Sequence, residues 1–143
     1  MNKEFGTNAV LLVLRVVVGL NLACLHGFEK LHHFSAKAGS YPDPLGLGHK
    51  YALIVAVAGE FIGGLLLAAG LLGRAGAFMV ALAVTLTMLT WRSLPWQGRE
   101  VWTLYLAASL AVLVLGCGRF ALDAVVWKKM GKGSAKAPQP ARK

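Results

Sequence analysis

Glu60 lies nine residues into the apolar stretch Tyr51–Leu72, and Arg15 lies inside a second apolar stretch, Ala9–Gly27. An ionised group at the centre of a bilayer costs roughly 2.5–3.5 kcal/mol unless it finds a partner or lines a wet cavity. From Arg15 the residues Gly19, Leu22, His26 and Lys30 follow at spacings of four, three, four and four, which puts them on one helical stripe. Arginine and lysine donate hydrogen bonds, whereas histidine and glutamate exchange protons. Arg15, His26, Lys30 and Glu60 are therefore the candidate site residues, hydrogen-bond donors and proton-exchanging groups set in an apolar surrounding. With Gly27 and Tyr51 as outer membrane ends, Arg15 lies ~18 Å deep and Glu60 ~13 Å deep, a gap the long arginine spans by reaching outward. Two readings stay open: Arg15 and Glu60 neutralise each other and fix the packing register, or they form part of a substrate pocket.

Four apolar windows carry these residues: Asn8–Gly27, Tyr51–Leu72, Gly76–Trp91 and Glu100–Leu115. The first two meet the length of a membrane span, and the shorter pair is extended by interfacial residues. The expected fold class is all-α, an integral membrane four-helix bundle with both termini inside. The first window is too long, and too interrupted by Arg15, to read as a cleaved signal peptide. The expected organisation is one transmembrane domain, residues 1–130, followed by a disordered basic cytoplasmic tail, residues 131–143.

Composition agrees with this class. The chain has 143 residues, 57% hydrophobic and only 15% charged, too apolar for an ordinary soluble domain and too short for two units. The net charge of +9 does not mark a nucleic-acid binder, because seven of the fifteen basic residues fall after Gly118. Their asymmetry between loops places both termini inside, on the cytoplasmic face. Cys24 and Cys117 fall near opposite ends of the bundle, too far apart for a disulfide, and read as small apolar residues.

The connecting segments add expectations of their own. Thr7 or Asn8 is placed to cap the first helix. Residues 31–50, with Pro42, Pro44 and three histidines, form a long outer loop suited to a lid, a partner contact or a plain connector. Gly59, Gly63 and Gly64 let another backbone approach the helix that carries Glu60. Thr85, Thr87 and Thr90 read as structural hydroxyls bonded back to their helix or across to a neighbouring one. Trp91, Trp96 and Trp102 suggest an aromatic belt at one interface, with Phe120 and Trp127 at the other. Arg119 and Asp123 stand at i, i+4 spacing on a segment, Arg119–Met130, suited to the membrane surface.

Metal chemistry finds little support. His26 is the only histidine within a span, so a bis-histidine haem is not expected, and two distant cysteines do not hold an iron–sulfur cluster. A zinc site from His26, His33 or His49 is a weaker reading than solvated histidines.

Three separated motifs carry a resemblance. They are Leu14-Arg15 leading to His26-Gly27-Phe28-Glu29-Lys30-Leu31; Gly59-Glu60-Phe61-Ile62-Gly63-Gly64 continuing to Gly70-Leu71-Leu72-Gly73-Arg74; and Gly116-Cys117-Gly118-Arg119-Phe120-Ala121-Leu122-Asp123. In order, spacing and charge they resemble the DoxX family of small four-helix membrane proteins, over about Leu12 to Trp127. The chain departs from the family pattern at Gly73, where a threonine is frequent, and at Cys117, where a proline is frequent. The resemblance implies a membrane subunit of a quinone-linked oxidoreductase, of the thiosulfate:quinone or quinol-oxidase type, in the cytoplasmic membrane of a prokaryote, with Arg15, His26, Lys30 and Glu60 as quinone or proton ligands: a quinone needs an apolar slot, a donor and a proton-exchanging group but no covalent bond. Its partners would be the lipid bilayer and other membrane or peripheral redox subunits, with homo-oligomers also compatible. The alternative is a non-catalytic chaperone or structural accessory subunit that binds a membrane partner through the glycine-lined second helix and the aromatic belt. A small transporter fits less well, because no internal repeat or broken-helix pair is evident.

Overall fold

The computed structural model describes residues 3–90 and 99–123. Trp91, Trp96, Trp127, the tail 131–143 and most of the Arg119–Met130 segment lie outside the described residues. Those described form helices and turns, without a strand.

The first long helix begins as α1, Lys3–Asn21, passes through a π-helical segment, Leu22–Gly27, and continues as α2, Phe28–His32. It thus runs five residues beyond the predicted Gly27. A short α3, Phe34–Lys37, follows. The second long helix has the same construction: α4, His49–Val57, a π-helical segment, Ala58–Ile62, and α5, Gly63–Ala69. The third is α6, Gly73–Thr90, and the fourth is α7, Glu100–Leu115. Glu4–His32, His49–Ala69 and Gly73–Thr90 are long and apolar enough to cross a membrane, while α7 is a shorter apolar helix of 16 residues.

α1 packs on α5 and α7, and α6 packs on the same two, closing a four-helix ring. Val18, Leu22, Leu67, Ala77, Val80, Val84 and Val112 fill its centre. Large apolar side chains such as Val10, Val13, Leu104 and Val114 point outward, as a lipid-facing surface requires.

Close backbone approach explains the glycines. A Cβ on Gly64 would meet the Gly19 carbonyl oxygen at 2.8 Å, and one on Gly59 would overlap Ala83 of α6. The small faces of the second helix are thus occupied from within the bundle, where they hold the first and third helices. The two π-helical segments also pack on each other, with Gly27 against the Phe61 backbone. A π turn widens the helix and re-aims side chains, and such turns are frequent at functional sites.

Asn8 does not cap the first helix. Its Nδ2 donates to the Glu4 carbonyl at 2.6 Å, and its Oδ1 accepts the Arg119 amide at 2.8 Å, so it holds the turn after α7 onto α1. Asp123 is likewise not paired with Arg119. It accepts the amides of Leu72 and Gly73 at 2.8 and 3.0 Å, capping α6, while Arg119 lies 3.6 Å from Glu4 on the surface. Two backbone donors with no helical acceptor hold a carboxylate better than one exposed arginine does.

Candidate functional site

The stripe read from the first helix faces inward: Arg15, Gly19 and Leu22 are buried, and His26 and Lys30 are half-buried. Its charged members divide between the two ends of the bundle. Arg15 and Lys30 are separated by roughly 22 Å of helix axis, and Glu60 is joined to Lys30.

At the loop end, Lys30 Nζ lies 2.5 Å from Glu60 Oε2, with Lys30 at 11% side-chain exposure and Glu60 at none. The Glu60 π segment turns the carboxylate away from lipid, toward α2 and α6. Its second oxygen, Oε1, is 3.4 Å from the Thr87 hydroxyl, which also donates to the Ala83 carbonyl at 2.9 Å. One hydroxyl proton cannot fully serve both acceptors, so Oε1 keeps accepting capacity. Lys30 Nζ also stands 5.8 Å from the centre of the Trp102 ring, within cation–π range. His26 packs on the same ring, with centroids 4.7 Å apart, and on Tyr105 at 5.8 Å. Trp102 therefore links the imidazole to the ion pair and is half-buried in the bundle.

Above the pair opens a cleft of about 510 Å³, lined by Lys30, Thr87 and Trp102 below and by Lys37, Ser40 and Tyr41 of the loop above. Its size falls within the ~300–1,000 Å³ of small-molecule sites. The loop is held in place: Lys37 Nζ bonds both Glu29 oxygens at 2.7 and 2.8 Å, and His49 Nδ1 lies 2.6 Å from the Tyr41 carbonyl. Asp43 accepts the amides of Leu45 and Gly48. The Gly48 bond leads in holding the Asp43 carboxyl below its ordinary range. Burial, reinforced by the Glu60 and Glu29 carboxylates, pushes the Tyr41 phenol above its ordinary range, so it stays neutral and able to donate.

Arg15 occupies the opposite end and does not touch Glu60. It is 2% exposed, and its Nη2 donates to the Phe120 carbonyl at 2.7 Å. A Cβ on Gly70 would fall on its Nη1, so the left-handed glycine that ends α5, φ 67°, also makes room for the guanidinium. The chain thus brings His26, Lys30 and Glu60 together and separates Arg15 from them.

Sequence reasoning missed Thr87 and Tyr41 as parts of the site. Thr85, Thr87 and Thr90 all bond back to their own helix at 2.7–3.0 Å, as expected of them, and only burial distinguishes Thr87. Nothing in the spacing marked Tyr41, which the loop folds over the cleft.

A family model described as DoxX matches residues 10–93, more than half of the chain. No curated protein and no solved structure matches it. The matched region holds Arg15, His26, Lys30, Glu60 and Thr87, and it covers most of the first and all of the second and third helices long and apolar enough to cross a bilayer. On that match the chain belongs to the DoxX family, and it is a multi-pass membrane protein.

Proposed function

We propose that the loop-end cleft binds the headgroup of a quinone, and that the chain serves as the membrane subunit of a quinone-linked oxidoreductase. The observation that carries this reading is Lys30 at the floor of an open cleft, bonded to the Glu60 carboxylate buried behind it. An ammonium has three donors, so Lys30 can hold Glu60 and still offer a proton to a carbonyl oxygen. Glu60 Oε1, incompletely served by Thr87, is the group placed to take up or release a proton there. His26 sits behind Trp102 as a second proton-exchanging group. A bound quinone supplies two-electron, two-proton chemistry. The residues of the chain hold its ring, exclude lipid from the pair and exchange the protons.

The same reading places four spans in the cytoplasmic membrane, both termini inside and the loop facing outward toward an electron-donating partner. The tail 131–143 is then a basic cytoplasmic extension. The glycines that an accessory or chaperone role would use are filled by neighbouring helices, so the redox reading is favoured.

Extraction in mild detergent followed by mass spectrometry of retained lipids tests it. Wild type should retain quinone, and the Glu60→Gln protein that is recovered folded and monodisperse should lose most of it. A preparation free of quinone that brings down a non-redox membrane protein would overturn the reading.

A further inference from the structure

We propose that Tyr41 is a substrate-contacting residue of the loop-end cleft: its phenol donates to one carbonyl oxygen of a para-quinone while Lys30 donates to the other. The inference rests on the cleft being a quinone site, and it names what that site selects, a ring with a carbonyl at each end. Lys30 lines the cleft from the first helix below and Tyr41 from the loop above, so the two donors stand on opposing walls. A para-quinone carries its two acceptor oxygens at opposite ends of one ring, and a donor on each wall holds such a ring across the gap.

Three observations single out Tyr41. Its side chain is half-buried, yet its hydroxyl has no hydrogen-bond partner among the described residues. A phenol withdrawn from water with its donor unused is costly, and an acceptor in the cleft removes that cost. The Glu60 and Glu29 carboxylates both act electrostatically on this phenol, so it stands near the carboxylate that Lys30 holds. Burial and those two charges keep its proton in place, which makes it a donor and leaves proton exchange to Glu60.

The third observation is that the donor is fixed in advance. The Tyr41 amide donates to the Lys37 carbonyl at 2.9 Å, and His49 Nδ1 lies 2.6 Å from the Tyr41 carbonyl. Tyr41 also borders a seam between the loop, α4 and α6, lined by Pro44, Val55 and Leu86, whose volume of about 20 Å³ has room for a water molecule but not for a ring to swing into. A donor held before the ligand arrives loses little freedom on binding. The other polar groups of the upper wall are less suited: Lys37 is committed to both Glu29 oxygens, and Ser40 is exposed, where water competes for its hydroxyl.

A cycle of two ligands and two proteins tests this with the full-length chain in detergent. Isothermal titration calorimetry compares a decyl-substituted para-benzoquinone with a decyl-substituted cyclohexadienone, a ring of the same size in which a saturated carbon replaces one carbonyl. Wild type and variant are measured in the same micelles, so partition of the ligands into detergent cancels. Tyr41→Phe should weaken the quinone by about three- to tenfold, the worth of one hydrogen bond. It should leave the dienone within about twofold of wild type, since that ligand's one carbonyl is served by Lys30. Unchanged dienone binding also shows that the variant keeps the cleft. Equal weakening of both ligands would make Tyr41 a purely structural residue, and equal quinone affinity in the two proteins would make its hydroxyl a bystander; either result overturns the proposal and leaves the quinone cleft standing. A wild-type protein that binds neither ligand overturns the cleft reading and this proposal with it.

Discussion

Lys30 of the first helix reaches the fully buried Glu60 of the second at 2.5 Å, and this contact assigns the membrane-depth carboxylate to lysine and leaves Arg15 to the other end. Lys30 lies at the floor of the loop-end cleft with Glu60 buried behind it, and their contact couples the two helices that carry π segments.

Breaking the pair from one side should be worse than removing it whole. Lys30→Met leaves Glu60 buried without its cation and should destabilise by about 3–5 kcal/mol. Lys30→Met combined with Glu60→Gln should recover more than half of that loss. Denaturant or thermal unfolding in detergent measures the cycle, and simple additivity of the two single changes would show that the residues do not act as a pair.

Gly64→Ala should separate the first two helices. The new methyl group meets the Gly19 carbonyl at 2.8 Å and the Ala23 amide nitrogen at 3.1 Å, both backbone atoms that cannot swing aside. A loss of about 1–3 kcal/mol is expected. Gly39, with open space around it, is the control, and Gly39→Ala should stay within about 0.5 kcal/mol of wild type.

Asp123→Ala removes the acceptor for two amides at the start of α6 and should cost about 0.5–2 kcal/mol. Asp123→Asn, which keeps one acceptor oxygen, should recover part of it. Melting temperatures of the three proteins give the order wild type, Asn, Ala; equal values would mean that the turn is held by other bonds.

The loop over the cleft should loosen in acid. The Asp43 carboxyl is held below its ordinary range by the Gly48 amide and its neighbours. Its stabilisation is therefore fully present above the unfolded-state value near ~4 and is lost as pH falls through the lower folded value. Hydrogen exchange of the Gly48 amide, corrected for intrinsic rate, should speed up over that window, and Asp43→Asn should remove the dependence.

Much of this was legible because apolar length and helical spacing are properties of the chain alone. The inward stripe from Arg15 to Lys30 is present, and the turn at Gly70–Arg74 ends one helix and starts the next. The pairing of charges was not legible. Depth counted from assumed membrane ends placed Arg15 and Glu60 near each other, but the first helix runs on to His32 and carries Lys30 over the Glu60 carboxylate. The π segments could not be read either; they pack on each other with Gly27 against the Phe61 backbone, a contact between distant parts of the chain that local spacing does not display. Asp123 looked like a local partner for Arg119 because local spacing is all that a sequence displays.

The π segments at Leu22–Gly27 and Ala58–Ile62 have one more consequence. A π turn holds more residues than an α turn, so each acts as a phase adjuster between the two halves of its helix. The register that sets Lys30 against Glu60 is thereby offset from the register that sets Arg15 against the Phe120 carbonyl, and each end of the same pair of helices has a facing of its own.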